Sequence, residues 1–261
     1  MNTIGNRIGA ALAAALLLAL PTPATPAADR QAPDQDEGEY TVSLDGRVVA
    51  REQFEYGSLG DSLQLAAAYR QPQGRDTLVV STMALVTRSD FDLRHYVSEA
   101  RFKGELRTRG VGLGDTVFTA YREGWGRGDG LTRVRPPGRL FVLQSDCFAL
   151  YDLIGRSLAK RSFETWPLNV FFMGETDTLL QATARHLGTV PLTHGGRTVQ
   201  ARRLEISLGE TAFLTWHGPK GELLRLEQPD YKLQVVRRAP AAKPATSSGA
   251  KAPVTKPAPK P

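Results

Sequence analysis

The chain has 261 residues, 41% hydrophobic and 23% charged, with a formal net charge of +6. Arg7 and the tail lysines Lys243, Lys251, Lys256 and Lys260 carry five of those six charges, so residues 28–238 are nearly neutral and the high isoelectric point does not describe a nucleic-acid-binding face. The one cysteine, Cys147, excludes an internal disulfide, and a domain of about 200 residues has to rest on its core, where it buries roughly 70% of its unfolded surface.

In chain order, residues 1–27 have the layout of a secretory signal peptide: a short polar start with Arg7, an uncharged Ala- and Leu-rich run, a break at Pro21, and small residues around a cut before Ala28. The apolar run, residues 8–20, is 13 long, short of the roughly 20 a membrane span needs. No later run is long enough to cross, so the chain is expected to be exported and not membrane-spanning. Residues 28–37 are polar and acidic and read as a linker. Residues 38–238 read as one β-rich domain. Residues 239–261 are Pro, Ala, Lys, Ser and Thr for the most part, a composition that cannot offset the entropy of ordering and predicts a disordered tail.

Within the domain, Tyr40, Val42 and Leu44 alternate with Thr41 and Ser43, and Asp45-Gly46 supplies the positive φ angles of a tight hairpin. The return strand carries Phe54 and Tyr56 on one face, and Leu63, Leu65, Ala67 and Tyr69 share a face of the next. Residues 78–86 are a further apolar strand, and more strands follow to Tyr121. Residues 124–130 alternate glycine with other residues and read as a loop. After a short strand at 140–143 the period changes: Leu150, Leu153, Ile154 and Leu158 recur at helical spacing, with Ser145 or Asp146 as the expected N-cap. Residues 178–187 suit either helix or strand, and the neighbouring strands favour strand. Close turns then join strands over 197–208, 211–217, 222–227 and 231–236, which makes antiparallel pairing of consecutive strands the default.

Catalytic signatures are sparse. No Gly-x-Ser-x-Gly turn exists, and Ser157, the nearest candidate, falls inside the predicted helix. The glycine-rich loops precede strands instead of opening a helix, so they lack the context that cradles phosphate. His95, His186, His194 and His217 show no common metal-pair spacing and read as solvated or singly hydrogen-bonded. Cys147, flanked by Phe148, reads as a buried small apolar residue. No cofactor is implied.

The opening Tyr40-Thr41-Val42-Ser43-Leu44-Asp45-Gly46-Arg47, the junction Leu140-Phe141-Val142-Leu143-Gln144-Ser145-Asp146-Cys147-Phe148-Ala149-Leu150-Tyr151 and the hairpin Trp216-His217-Gly218-Pro219-Lys220-Gly221-Glu222-Leu223-Leu224-Arg225-Leu226-Glu227 together resemble uncharacterised secreted bacterial families of all-β domains of unknown function. The resemblance spans residues 38–238. It implies one long antiparallel sheet curled into a half-barrel with a helix against its concave side, similar in that respect to periplasmic lipoprotein carriers, and it implies no activity and no functional residues.

These readings favour a non-catalytic binding or carrier module for an apolar small molecule or lipid. Phe148, Tyr151, Trp166, Phe171 and Trp216 are the candidate lining of its concave face, and plain core residues are the competing reading for each. The alternatives are an envelope hydrolase of unidentified chemistry and a structural module whose basic tail makes weak contact with anionic envelope polymers.

Overall fold

In the computed structural model, residues 35–124 and 127–239 are described. The predicted signal lies outside them, as do residues 28–34 of the predicted linker and residues 240–261 of the predicted tail. The linker ends earlier than expected. The first strand begins at Asp36, because Asp36 and Glu37 already pair with Tyr56 and Glu55 of the second.

Among the described residues, fifteen strands form one sheet, not closed into a barrel. The first eight are β1 (Asp36–Leu44), β2 (Arg47–Leu59), β3 (Ser62–Gln73), β4 (Asp76–Thr87), β5 (Leu93–Phe102), β6 (Glu105–Leu113), β7 (Val117–Gly124) and β8 (Arg127–Val134). They run as a meander of consecutive hairpins from the middle of the sheet to one edge. The remainder are β9 (Leu140–Gln144), β10 (Thr165–Met173), β11 (Asp177–His194), β12 (Arg197–Leu208), β13 (Thr211–His217), β14 (Leu223–Gln228) and β15 (Leu233–Arg237). These run back from the other edge to the middle, where β15 pairs with β1.

The local rules read from the sequence account for most of this. Asp45 and Gly46 both take positive φ, 49° and 76°, as the tight turn between β1 and β2 requires. Alternation buries Ala50, Glu52, Phe54 and Tyr56 of β2 and Leu63, Leu65, Ala67 and Tyr69 of β3. Residues 178–187 are strand, inside β11. Of the predicted loop at 124–130, Gly124 ends β7 and residues 127–130 open β8, with Gly128 and Gly130 paired to Glu123 and Tyr121, while residues 125 and 126 lie outside the described residues. Strand interiors admit glycine at a cost in stability, and β8 lies at the edge of the sheet.

One pair departs from antiparallel pairing: β9 and β10 run parallel. Parallel neighbours need a crossover of a dozen or more residues, and helix α1 (Ala149–Leu158) supplies it. All five residues of β9 are buried, the pattern of a strand covered on both faces. The helix is buried on nearly every side, Arg156 alone being partly exposed. Gly155 shows how tightly it fits, since a Cβ there would lie 2.0 Å from the His217 ring and 2.5 Å from the Gly221 carbonyl.

Strands β5 and β7 of one half of the sheet meet β9, β10 and the start of β11 of the other through side chains instead of strand pairing. Tyr96 and Ser98 of β5 donate to the Gln144 Oε1 of β9, at 2.5 and 3.1 Å. Arg122 of β7 pairs with Asp177 and donates to the carbonyls of Gly174 and Glu175 at 3.0 and 2.6 Å. Phe118 packs edge-on against Phe171, with centroids 5.2 Å apart.

Candidate functional site

The five candidate aromatics do not gather at one place. Phe148 and Tyr151 are buried at the start of α1, stacked on each other, and Tyr151 also meets Phe213. Phe171 is buried against Phe118. Trp166 is half-buried, edge-on to Phe163 and beneath the Arg161 guanidinium. Trp216 lies on the opposite face of β13 from Phe213 and Thr215, in a separate cluster with Ala201 and Leu224, flanked by the guanidiniums of Arg203 and Arg225. Three of the five, Phe148, Tyr151 and Phe171, are therefore packed against the protein's own rings.

The core also holds polar groups that the sequence reading did not single out. Glu52 of β2 is fully buried, and its carboxylate accepts the backbone N–H groups of Phe148 at 2.7 Å and Ala149 at 3.0 Å. This carboxylate caps the helix. The expected local caps do not act: α1 starts at Ala149, Phe148 before it has helical angles with no side-chain cap, and Asp146 accepts the Gln144 amide instead. A carboxylate at a helix N-terminus satisfies orphan donors and meets the positive end of the helix dipole. Burial still pushes the Glu52 carboxyl up to about 7, against the lowering pull of those two N–H groups. Cys147 is buried as expected, with Sγ 3.5 Å from the Glu52 carboxylate, and burial followed by that negative charge raises its thiol.

Further along α1, the fully buried Asp152 accepts Arg156 Nε at 2.8 Å and the backbone N–H of Leu223. Arg156 also pairs with Asp36 and lies 4.4 Å from the Tyr56 ring centre. Arg237 of β15 completes the chain of ion pairs by donating to Asp36 at 3.1 Å. Burial works against the charge on Asp36, yet hydrogen bonding and charge from Arg237, with Arg156, hold its carboxyl below the usual range.

Two concavities stand out. The smaller, about 200 Å³, lies beside α1 and includes Gly155, Arg202, His217 and Gly221 in its lining. Two of its polar side chains, His217 and Arg202, are engaged with the protein itself. His217 donates from Nδ1 to the Gly221 carbonyl at 3.0 Å and accepts the Thr215 hydroxyl at Nε2, 2.9 Å away. Burial lowers the His217 imidazole to about 4. Arg202 donates to the helix-end carbonyls of Leu158 and Arg161, at 2.6 and 2.7 Å, where orphan acceptors need partners.

The larger is a groove of about 420 Å³ over β2 and β3, with Val49, Ala68 and Pro72 among its apolar lining and Arg51 and Arg70 among its charged lining. Arg51 and Arg70 stand directly opposite each other across the β2–β3 ladder, and Gln53 stands opposite Ala68 beside them. Arg51 and Arg70 are exposed, on the face away from the buried Ala50, Glu52 and Tyr69. Arg51 donates to Glu39 at 2.8 Å, and Arg238 donates to the same oxygen at 2.7 Å. Arg70 has no carboxylate or hydrogen-bond partner among the described residues.

What fold and site define together is a single sheet wrapped around one helix, with ionisable groups inside that are spent on the fold and an arginine-bearing groove outside. No family model and no curated protein matches the chain. Among solved structures it is similar to a DUF1089 family protein from Pseudomonas aeruginosa, with a TM-score of 0.44 and 11% identity over 70% of this chain and 90% of that one.

Proposed function

We propose that this chain is a non-catalytic binding module that takes the apolar part of a small molecule or lipid in the groove over β2 and β3. The observation that carries this reading is the groove itself: about 420 Å³, with Val49, Ala68 and Pro72 in its lining. That volume falls within the roughly 300–1,000 Å³ usual for small-molecule sites. The core aromatics support the same choice, since Phe148, Tyr151 and Phe171 are already packed against other rings. The ionisable groups of the core favour binding over catalysis, because Glu52, Asp152 and His217 each spend their hydrogen bonds on the fold. Export of the module remains part of the proposal, on the layout of residues 1–27.

Titration with Nile red, an uncharged apolar fluorophore, tests the site. The protein should bind the dye, and Ala68→Asp, which sets a carboxylate in the groove, should weaken binding at least tenfold with the melting temperature held within a few degrees. Absence of dye binding, or binding indifferent to Ala68→Asp, would overturn the reading.

A further inference from the structure

Charge around the groove is unbalanced. Arg51, Arg70 and Glu39 are the charged residues of its lining, and among the described residues Glu39 is the one carboxylate bonded to these arginines, through an oxygen that Arg51 shares with Arg238. Among the described residues Arg70 has no acceptor for its donors, and it faces Arg51 across a directly paired position. Cβ atoms so placed are about 5 Å apart, and like charges directly opposite are unfavourable. The next outward position in the same transverse row is Val79 on β4, followed by Arg101 on β5, whose carboxylate partner Glu99 lies on its own strand. Neither neighbour offers Arg70 an acid. A guanidinium exposed in the lining of a groove that also carries Val49, Ala68 and Pro72 presents a planar fork of donors suited to two parallel bonds with a carboxylate or phosphate.

We infer that the ligand of this groove is an anionic amphiphile, whose carboxylate or phosphate head is held by Arg70 beside Arg51 while its apolar part lies along Val49, Ala68 and Pro72. The inference rests on the groove being the binding site and adds the charge of the head to it. Arg70 supplies the unpaired cation, and Arg51 keeps Glu39 as its partner while adding positive potential. Bound anion removes the repulsion between the two facing guanidiniums.

Calorimetry on the full chain with decanoate, decyl phosphate and decanol, all below their aggregation limits, separates the two ideas. Decanoate or decyl phosphate should bind at least tenfold more tightly than decanol, Arg70→Gln should remove that preference, and Arg70→Lys should restore part of it. Sedimentation with phosphatidylglycerol and phosphatidylcholine vesicles distinguishes a free amphiphile from a lipid head in a membrane. Binding to the anionic vesicles that Arg70→Gln abolishes would place the same oxyanion in a bilayer, and tail lysines alone would give vesicle binding blind to that substitution. Decanol binding as tightly as decanoate, with Arg70→Gln silent in both assays, would overturn the anionic head and leave the groove standing. Failure of all three ligands and of Nile red would overturn the groove as well.

Discussion

At the scale of single residues, the core holds two ionisable groups whose displacements act in opposite directions on stability. Burial raises the Glu52 carboxyl from an ordinary 4.5 to about 7. Between those values the folded protein keeps a proton that the unfolded chain has released, so stability falls as pH rises through the window. The His217 imidazole is lowered from 6.5 to about 4. There the unfolded chain takes up the proton first, so stability falls as pH drops from 6.5 toward 4. The two slopes oppose each other where the windows overlap. Glu52→Gln removes the first and leaves the second, so the gain in melting temperature from pH 5 to pH 8 should be larger in the variant than in the parent. Parallel profiles across that range, read by thermal denaturation, would assign the pH dependence elsewhere. Glu52 was half legible in the sequence. It falls on the same alternating face as Phe54 and Tyr56, so a carboxylate in a core position was visible, but its partners at Phe148 and Ala149 lie about a hundred residues away. Arg70 was legible as an outward residue. Its lack of a carboxylate emerges only once the register sets Arg51 and Val79 beside it.

At the scale of elements, α1 was legible from its period and illegible at its cap. Leu150, Leu153, Ile154 and Leu158 are buried as their spacing required, but so are Tyr151 and the charged Asp152. A helix buried all round does not show itself as one apolar stripe. Leu153→Ala should cost roughly 2–5 kcal/mol, the usual range for truncating a buried leucine. Chemical denaturation would measure it, and a loss below about 1 kcal/mol would mean that the site collapses around the smaller side chain. The strands were legible wherever alternation was clean, as in β2 and β3. The parallel pairing of β9 with β10 was not, because the four-residue apolar run Leu140-Phe141-Val142-Leu143 has no period that reveals which neighbour it will take or in which direction. The candidate aromatics divided for a related reason. Alternation along β13 puts Trp216 on the far side from Phe213, and only the three-dimensional register shows that Phe148, Tyr151 and Phe171 are enclosed by rings from other strands.

At the scale of the molecule, the mainly β architecture with one helix and the pairing of consecutive strands followed from the sequence, and the joining of β1 to β15 did not. The seam where β1 meets β15 joins the first and last strands of the described domain, with Tyr40 opposite Arg237 and the Arg238 N–H bonded to the Glu39 carbonyl at 2.7 Å. That seam has a mechanical meaning. Because the strands are antiparallel, the chain enters β1 and leaves β15 at the same end of the ladder, so a pull on the two chain ends opens the hydrogen bonds one after another, as a zipper opens. Handles at Asp45 and Arg238 would instead load the same ladder lengthwise, with all its bonds sharing the strain. In an optical trap the first geometry should open the seam at a distinctly lower force than the second. Equal forces would mean that the ion pairs of Asp36 with Arg156 and Arg237, which tie the entry of β1 to the helix and to β15, carry the load before the ladder does.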